Sequence, residues 1–165
     1  MKLCLKDAFA STPFDKTYTY TFKFEDFDGL PAPLVSDGVR TVVSIHGENG
    51  YVTCKMDMTG EFLVVCGRCA REFTLSFGSV TEKPVLQDDG VWDQDAVYLD
   101  KSLCFDVQEE AYVRLNFEFP MAPLCREDCK GLCPVCGCDL NENSCTCDIR
   151  TVDPRLAVLK NLFDK

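Results

Sequence analysis

Aromatic and polar side chains alternate from Tyr18 to Phe24, and apolar and polar ones alternate again through Arg40–His46 and Tyr51–Met58. A period of two predicts strands with one face buried. In the second run Thr41, Val43 and Ile45 share a face; in the third, Val52, Cys54, Met56 and Met58 do. Asn49-Gly50 lies between these two runs. Both residues tolerate positive φ, so the pair predicts a tight hairpin. Glu61–Val65 and Phe73–Phe77 predict a further strand pair, joined around Cys66-Gly67-Arg68-Cys69. The first 86 residues therefore predict an antiparallel sheet, curved or barrel-like.

The pattern changes after an acidic, turn-rich stretch at 87–95, which predicts a loop and holds the single tryptophan, Trp92, expected to pack back on the sheet. Leu103, Val107, Ala111 and Leu115 recur every four residues, the stripe of a helix lying on the sheet. Pro120 must end it. Alternation of Leu115, Phe117 and Phe119 leaves its last turn open between helix and extended chain. Asp153 and Pro154 read as an N-cap and first helical residue, with Leu156, Leu159 and Phe163 forming one apolar stripe. The expectation is an α+β protein. Residues 1–120 form an antiparallel sheet domain with one amphipathic helix, and 121–165 a small zinc-knuckle segment with a short terminal helix.

The chain has 165 residues, 46% of them hydrophobic, enough for a core. Its net charge of −10 argues against broad contact with a phosphate backbone. No apolar run approaches the roughly 20 residues of a spanning helix. The residues Met1–Asp7 lack the apolar core of a signal peptide, so the expected setting is cytoplasmic, away from membranes. No phosphate-binding or dinucleotide-binding glycine motif is present. The only histidine, His46, falls on the polar face of its strand. Nothing here names a reaction, and no catalytic residue is assigned.

The chemistry lies in twelve cysteines, seven of them between Cys125 and Cys147. Two thiolates two residues apart can grip one tetrahedral ion from a tight turn, and Cys133-Pro134-Val135-Cys136-Gly137 has that form. Cys125 and Cys129 are the preferred completing pair, with Cys145 and Cys147 as alternates. The reading is about one structural zinc per chain, since four sulfurs leave no open position. An iron–sulfur cluster and buried free thiols are the competing readings. Cys66 and Cys69 read as half of a second metal site, a redox pair or a plain turn, with Arg68 a candidate binding residue beside them. Cys4, Cys54 and Cys104 read as ordinary thiols.

Several segments together resemble one bacterial family. Pro123-Leu124-Cys125, Asp128-Cys129-Lys130-Gly131-Leu132-Cys133-Pro134-Val135-Cys136-Gly137, Asp139-Leu140-Asn141 and Asp153–Lys160 look like the C-terminal half of the YceD family, the large ribosomal RNA subunit accumulation proteins. Cys66-Gly67-Arg68-Cys69 resembles the family's central Cys-x-Arg-Cys. The resemblance covers about the last 100 residues. It implies a non-enzymatic role in accumulating large-subunit ribosomal RNA. It also implies a ribosomal protein or pre-ribosomal particle as partner. Some members of the family lack the C-terminal cysteines but keep the central motif, which raises Cys66, Arg68 and Cys69 as functional candidates. Cys138 departs from the family's pattern.

Residues 125–150 carry a net charge of −2, and a zinc ion on four thiolates adds about −2. A basic protein partner is therefore favoured over direct RNA contact. The alternatives are an RNA-binding zinc module using Arg68, Arg71, Arg126, Lys130, Arg150 and Arg155, and a thiol redox protein centred on Cys66 and Cys69.

Overall fold

The computed structural model describes residues 1–10, 13–25, 27, 29–87 and 95–147. Strands β1 (Lys2–Cys4), β2 (Phe14–Phe22), β3 (Val39–Glu48), β4 (Tyr51–Val65), β5 (Glu72–Gln87), β6 (Val97–Leu99) and β7 (Cys104–Asp106) precede one helix, α1 (Val107–Glu118). A 3₁₀ turn, Lys6–Phe9, follows β1. The architecture is α+β.

Five strands form one sheet in the order β2-β3-β4-β5-β6. The first four pair antiparallel, and β6 pairs parallel with β5. Among the described residues the sheet is open, with β2 and β6 at its edges, rather than closed into a barrel. The parallel β6 lies beyond the first 86 residues, so the body is mainly antiparallel. The period-two faces are as read from the sequence: Thr41, Val43 and Ile45 are buried, as are Val52, Cys54, Met56 and Met58. Asn49 and Gly50 both take positive φ, 53° and 81°, and close the β3–β4 hairpin. The two short strands expected over 51–58 and 61–65 are one continuous strand, since Thr59 and Gly60 stay in the ladder to β5.

Helix α1 starts four residues later than its apolar spacing suggests. Asp106 accepts from the backbone N–H groups of Gln108 and Glu109 and fixes the start there. Asp100 likewise folds the preceding residues into a turn by accepting from the N–H groups of Ser102 and Cys104. Leu103, at φ 59°, sits in that turn and not on the helix. The helix buries Val107, Ala111 and Leu115, together with Arg114. Arg114 is held by Glu110 one turn back and by the Thr81 hydroxyl. The outer face carries Phe117, 80% exposed, so amphipathicity is weaker than the stripe implied. The open question over its last turn is resolved at Phe119, which is extended before Pro120.

Phe119 turns back onto the sheet. Its ring meets Phe62 at 5.0 Å and Phe77 at 5.8 Å between centroids. Phe62 is fully buried, and such a side chain contributes about 1.5–3 kcal/mol. This trio pins the helix exit against the far end of the β4–β5 hairpin and aims the following segment at the hairpin tip.

Two cysteines expected as ordinary thiols are joined instead. Cys4 and Cys104 face each other across β1 and β7 and form a disulfide, with their Cα atoms 4.0 Å apart. Pairing of strands far apart in sequence made that contact, which no local pattern announces. Cys54 is a buried thiol, as expected, and burial pushes its pKa up to about 11. His46 is exposed and pairs with Asp15 at 2.7 Å. Trp92 and the expected terminal helix over 153–165 lie outside the described residues.

β3 passes directly beneath the 3₁₀ turn, and a Cβ at Gly47 would stand 2.3 Å from the Ala8 carbonyl oxygen. Gly47→Ala should therefore cost about 1–3 kcal/mol. Gly78→Ala, where a Cβ meets nothing within 4 Å, should be neutral or mildly stabilising. Urea unfolding of both variants checks the pair.

Candidate metal centre

Eight cysteines fall into two groups of four. In the first, the sulfurs of Cys66, Cys69, Cys125 and Cys129 lie within 4.8 Å of one another; in the second, those of Cys133, Cys136, Cys145 and Cys147 do. The four thiols read from the sequence as one site, Cys125, Cys129, Cys133 and Cys136, are thus divided between two clusters. Cys66 and Cys69 join the first, and the alternates Cys145 and Cys147 join the second. The first cluster also ties residues before 120 to residues after it.

Each cluster is built on the same turn. At Cys66 the backbone N–H donates to the Arg71 carbonyl, 2.9 Å, and the Ala70 N–H donates to the Cys66 carbonyl, 3.0 Å. At Cys133 the N–H donates to the Cys138 carbonyl, 2.9 Å, and the Gly137 N–H donates to the Cys133 carbonyl, 2.8 Å. Ala70 and Gly137 occupy equivalent places, at φ 56° and 72°. Alanine stands where the left-handed conformation favours glycine. That substitution hid the kinship of the two turns in the sequence. The number of thiols carried the signal: two CxxC turns and two further pairs make two complete sets of four.

The turns place N–H groups on sulfur. The Cys125 and Cys69 N–H groups, then that of Arg68, stabilise the Cys66 thiolate and bring its pKa down to about 6. The Cys136 and Val135 N–H groups do the same for Cys133, also to about 6. Burial, and then sulfurs already charged beside it, push Cys125 up to about 12. Like charges this close cannot all ionise unaided. A divalent cation removes that conflict.

Spacing gives a direct test of fit. A tetrahedral ion with Zn–S bonds of about 2.3 Å sets its sulfurs about 3.8 Å apart. Cys66 and Cys129 sulfurs are 3.8 Å apart, and those of Cys69 and Cys125 are 3.7 Å apart. The donor set fits one four-sulfur ion. Either cluster can hold a metal ion.

The surroundings lock the first cluster in place. Asn141 Nδ2 donates to the Cys129 sulfur at 3.5 Å, while its Oδ1 accepts from the Lys130 N–H. Gly131, at φ 76°, lies against the Arg68 backbone, where a Cβ would come within 2.9 Å of the Arg68 carbonyl oxygen. That carbonyl accepts from the Leu132 N–H at 3.1 Å. Leu132 and Asp139 then form a bridge that leads into the second cluster. Arg68, the candidate binding residue, donates through Nη1 to the Cys129 carbonyl at 3.0 Å. Arg71 pairs with Asp139 at 3.2 Å and with Glu142. Arg126 stands 3.5 Å from Asp128. Arg150 and Arg155 lie outside the described residues.

The family model described as "Large ribosomal RNA subunit accumulation protein YceD" matches residues 54–163. The chain belongs to the YceD family. The matched stretch contains all eight clustered thiols, both turns, β5 and α1, and it leaves out β1 to β3. No curated protein and no solved structure matches the chain. For this YceD-family chain, the geometry above is therefore the basis for reading the site. Among the described residues no helix is long and apolar enough to cross a membrane.

Ala70→Gly should raise stability by about 1 kcal/mol, because it relieves a left-handed alanine that the first turn requires. Chemical denaturation of the metal-loaded protein measures it. No gain, or a loss, would mean that the turn does not hold this conformation.

Proposed function

We propose that this chain is a non-enzymatic cytoplasmic factor that supports accumulation of large-subunit ribosomal RNA, and so ribosome assembly, through a basic ribosomal protein or a pre-ribosomal particle. The observation that carries this reading is the family match over residues 54–163. In this reading both clusters hold zinc, and the zinc is structural. Four thiolates close each site and leave no position for a substrate. Zinc also replaces the apolar core that so cysteine-rich a segment lacks.

Charge supports a protein partner over naked RNA. The chain carries −10, and three arginines near the clusters are engaged: Arg68 with the Cys129 carbonyl, Arg71 with Asp139 and Glu142, and Arg126 with Asp128. An RNA-gripping zinc module presents a free basic face. Burial of Cys66 and Cys69, at 2% and 6% exposure, speaks against a redox pair, which needs access to solvent.

Anaerobically purified protein should contain two zinc ions per chain, one for each cluster, by elemental analysis. One ion or none would overturn the two-site reading. Depletion from cells should lower the ratio of large- to small-subunit ribosomal RNA. The protein should bind a basic large-subunit component in a manner that weakens as salt rises. An unchanged RNA ratio, or tight binding to protein-free ribosomal RNA, would refute the assembly role or its protein partner respectively.

A further inference from the structure

The end of β4 carries a backbone edge that the fold leaves open. Glu61, Leu63 and Gly67 point their backbone groups to the side away from β5. The Glu61 carbonyl accepts from the Val35 N–H at 2.9 Å, the Leu63 N–H donates to the Pro33 carbonyl at 2.8 Å, and the Gly67 N–H donates to the Pro123 carbonyl at 2.9 Å. Alternation along the strand puts the backbone groups of Val65 on the same edge, between these anchors. Leu34 faces Phe62 in an antiparallel bridge, so the same register sets Pro33 against Leu63 and Pro31 against Val65. A proline has no N–H to return. Among the described residues no backbone donor meets the carbonyl of Leu63 or of Val65.

A groove of about 460 Å³ runs along this edge, walled by Pro31, Pro33, Leu63, Val65, Met121 and Pro123. Leu63, Val65 and Met121 are exposed. The rim is acidic. Glu61 shares a strand face with Leu63 and Val65, and Glu72 stands directly opposite Val65 on β5. Both glutamates are exposed, and among the described residues neither carboxylate has a cation partner. Arg71, next to Glu72 in the chain, is taken up by Asp139 and Glu142.

We propose that this groove docks a short, extended, basic segment of a protein partner. The inference rests on the basic-partner reading above and names its surface. The segment lies beside β4 and donates backbone N–H groups to the Leu63 and Val65 carbonyls, as an added strand does. Its apolar side chains cover Leu63, Val65 and Met121, and its lysines or arginines meet Glu61 and Glu72. Lysine and arginine carry donors only, which suits an edge of free carbonyls and carboxylates. Phosphates of RNA find the wrong sign there, and a second copy brings its own charge of −10.

The test uses the full zinc-loaded chain and a labelled synthetic peptide of alternating lysine and valine, which offers a cationic and an apolar side chain in either register. Wild type should bind this peptide and not its glutamate–valine counterpart. E72K and V65K should each weaken binding about tenfold. E48K makes the same charge change as E72K at the Asn49-Gly50 end of the sheet, and should weaken binding less than about twofold. All three variants should keep the zinc content of wild type, so that a loss is a loss of binding. Failure of wild type to bind the cationic peptide refutes the groove. So does an E48K effect as large as that of E72K, which would leave only the long-range field. Tighter binding of single-stranded RNA that V65K abolishes would hand the groove to nucleic acid, and a wild-type dimer that V65K dissociates would hand it to a second copy; either overturns the proposal. Proteins extracted from purified large ribosomal subunits separate this inference from the reading beneath it. Retention of them by E72K and V65K as strong as by wild type sinks the groove and leaves the basic partner standing, whereas no retention by wild type sinks the partner reading itself.

Discussion

The convergence of Cys66, Cys69, Cys125 and Cys129 is the contact on which the rest of the site depends. It joins the tip of the β4–β5 hairpin to the segment leaving α1, across 56 residues between Cys69 and Cys125 and 63 between Cys66 and Cys129. Backbone N–H groups of Cys125 and Cys69 draw Cys66 down to about 6, while burial and the neighbouring sulfurs drive Cys125 up to about 12. A divalent ion turns that repulsion into a crosslink. The segment after Pro120 has little apolar substance of its own, so a metal held there would add the crosslink its packing lacks.

The sheet prepares this meeting point. β4 and β5 run long, and their ladder from Thr53–Pro84 to Val65–Glu72 holds the hairpin tip away from the main core. The aromatic trio of Phe62, Phe77 and Phe119 then fixes where α1 ends. The backbone continues to Pro123, whose carbonyl accepts from the Gly67 N–H at 2.9 Å. Cys66 and Cys69 of the tip and Cys125 and Cys129 of the following loop are thereby brought together before any metal is considered. The second cluster is built outward from the first, through Gly131, Leu132 and Asp139. One is set into the body of the protein and the other hangs from it.

The same arrangement bears on what the molecule can meet. Arginines that read as a basic patch along the chain are spent on the clusters' own architecture. Arg68 satisfies the Cys129 carbonyl, and Arg71 bridges to Asp139 and Glu142. A side chain whose donors are engaged within the fold offers less to a phosphate. The acidic excess of the chain then sets the sign of its long-range field. That sign supports attraction to basic protein surfaces.

The sequence by itself determined the strand faces, the Asn49-Gly50 hairpin, the α1 stripe and the candidacy of the cysteines as metal ligands. Each depends on periodicity or on spacing within a few residues, where covalent geometry alone places side chains together. It also carried the family resemblance, through short motifs in order. Tertiary structure decided what local pattern cannot encode. Asp106 and Asp100, not apolar spacing, set the start of α1. Strand pairing across 100 residues joined Cys4 to Cys104. Above all, the partition of eight thiols into two sets of four depended on which loop the β4–β5 hairpin reached. Thiols near one another in sequence looked like one site. The fold gave half of them to a hairpin more than fifty residues away, because a tetrahedral ion counts distance in space and not along the chain.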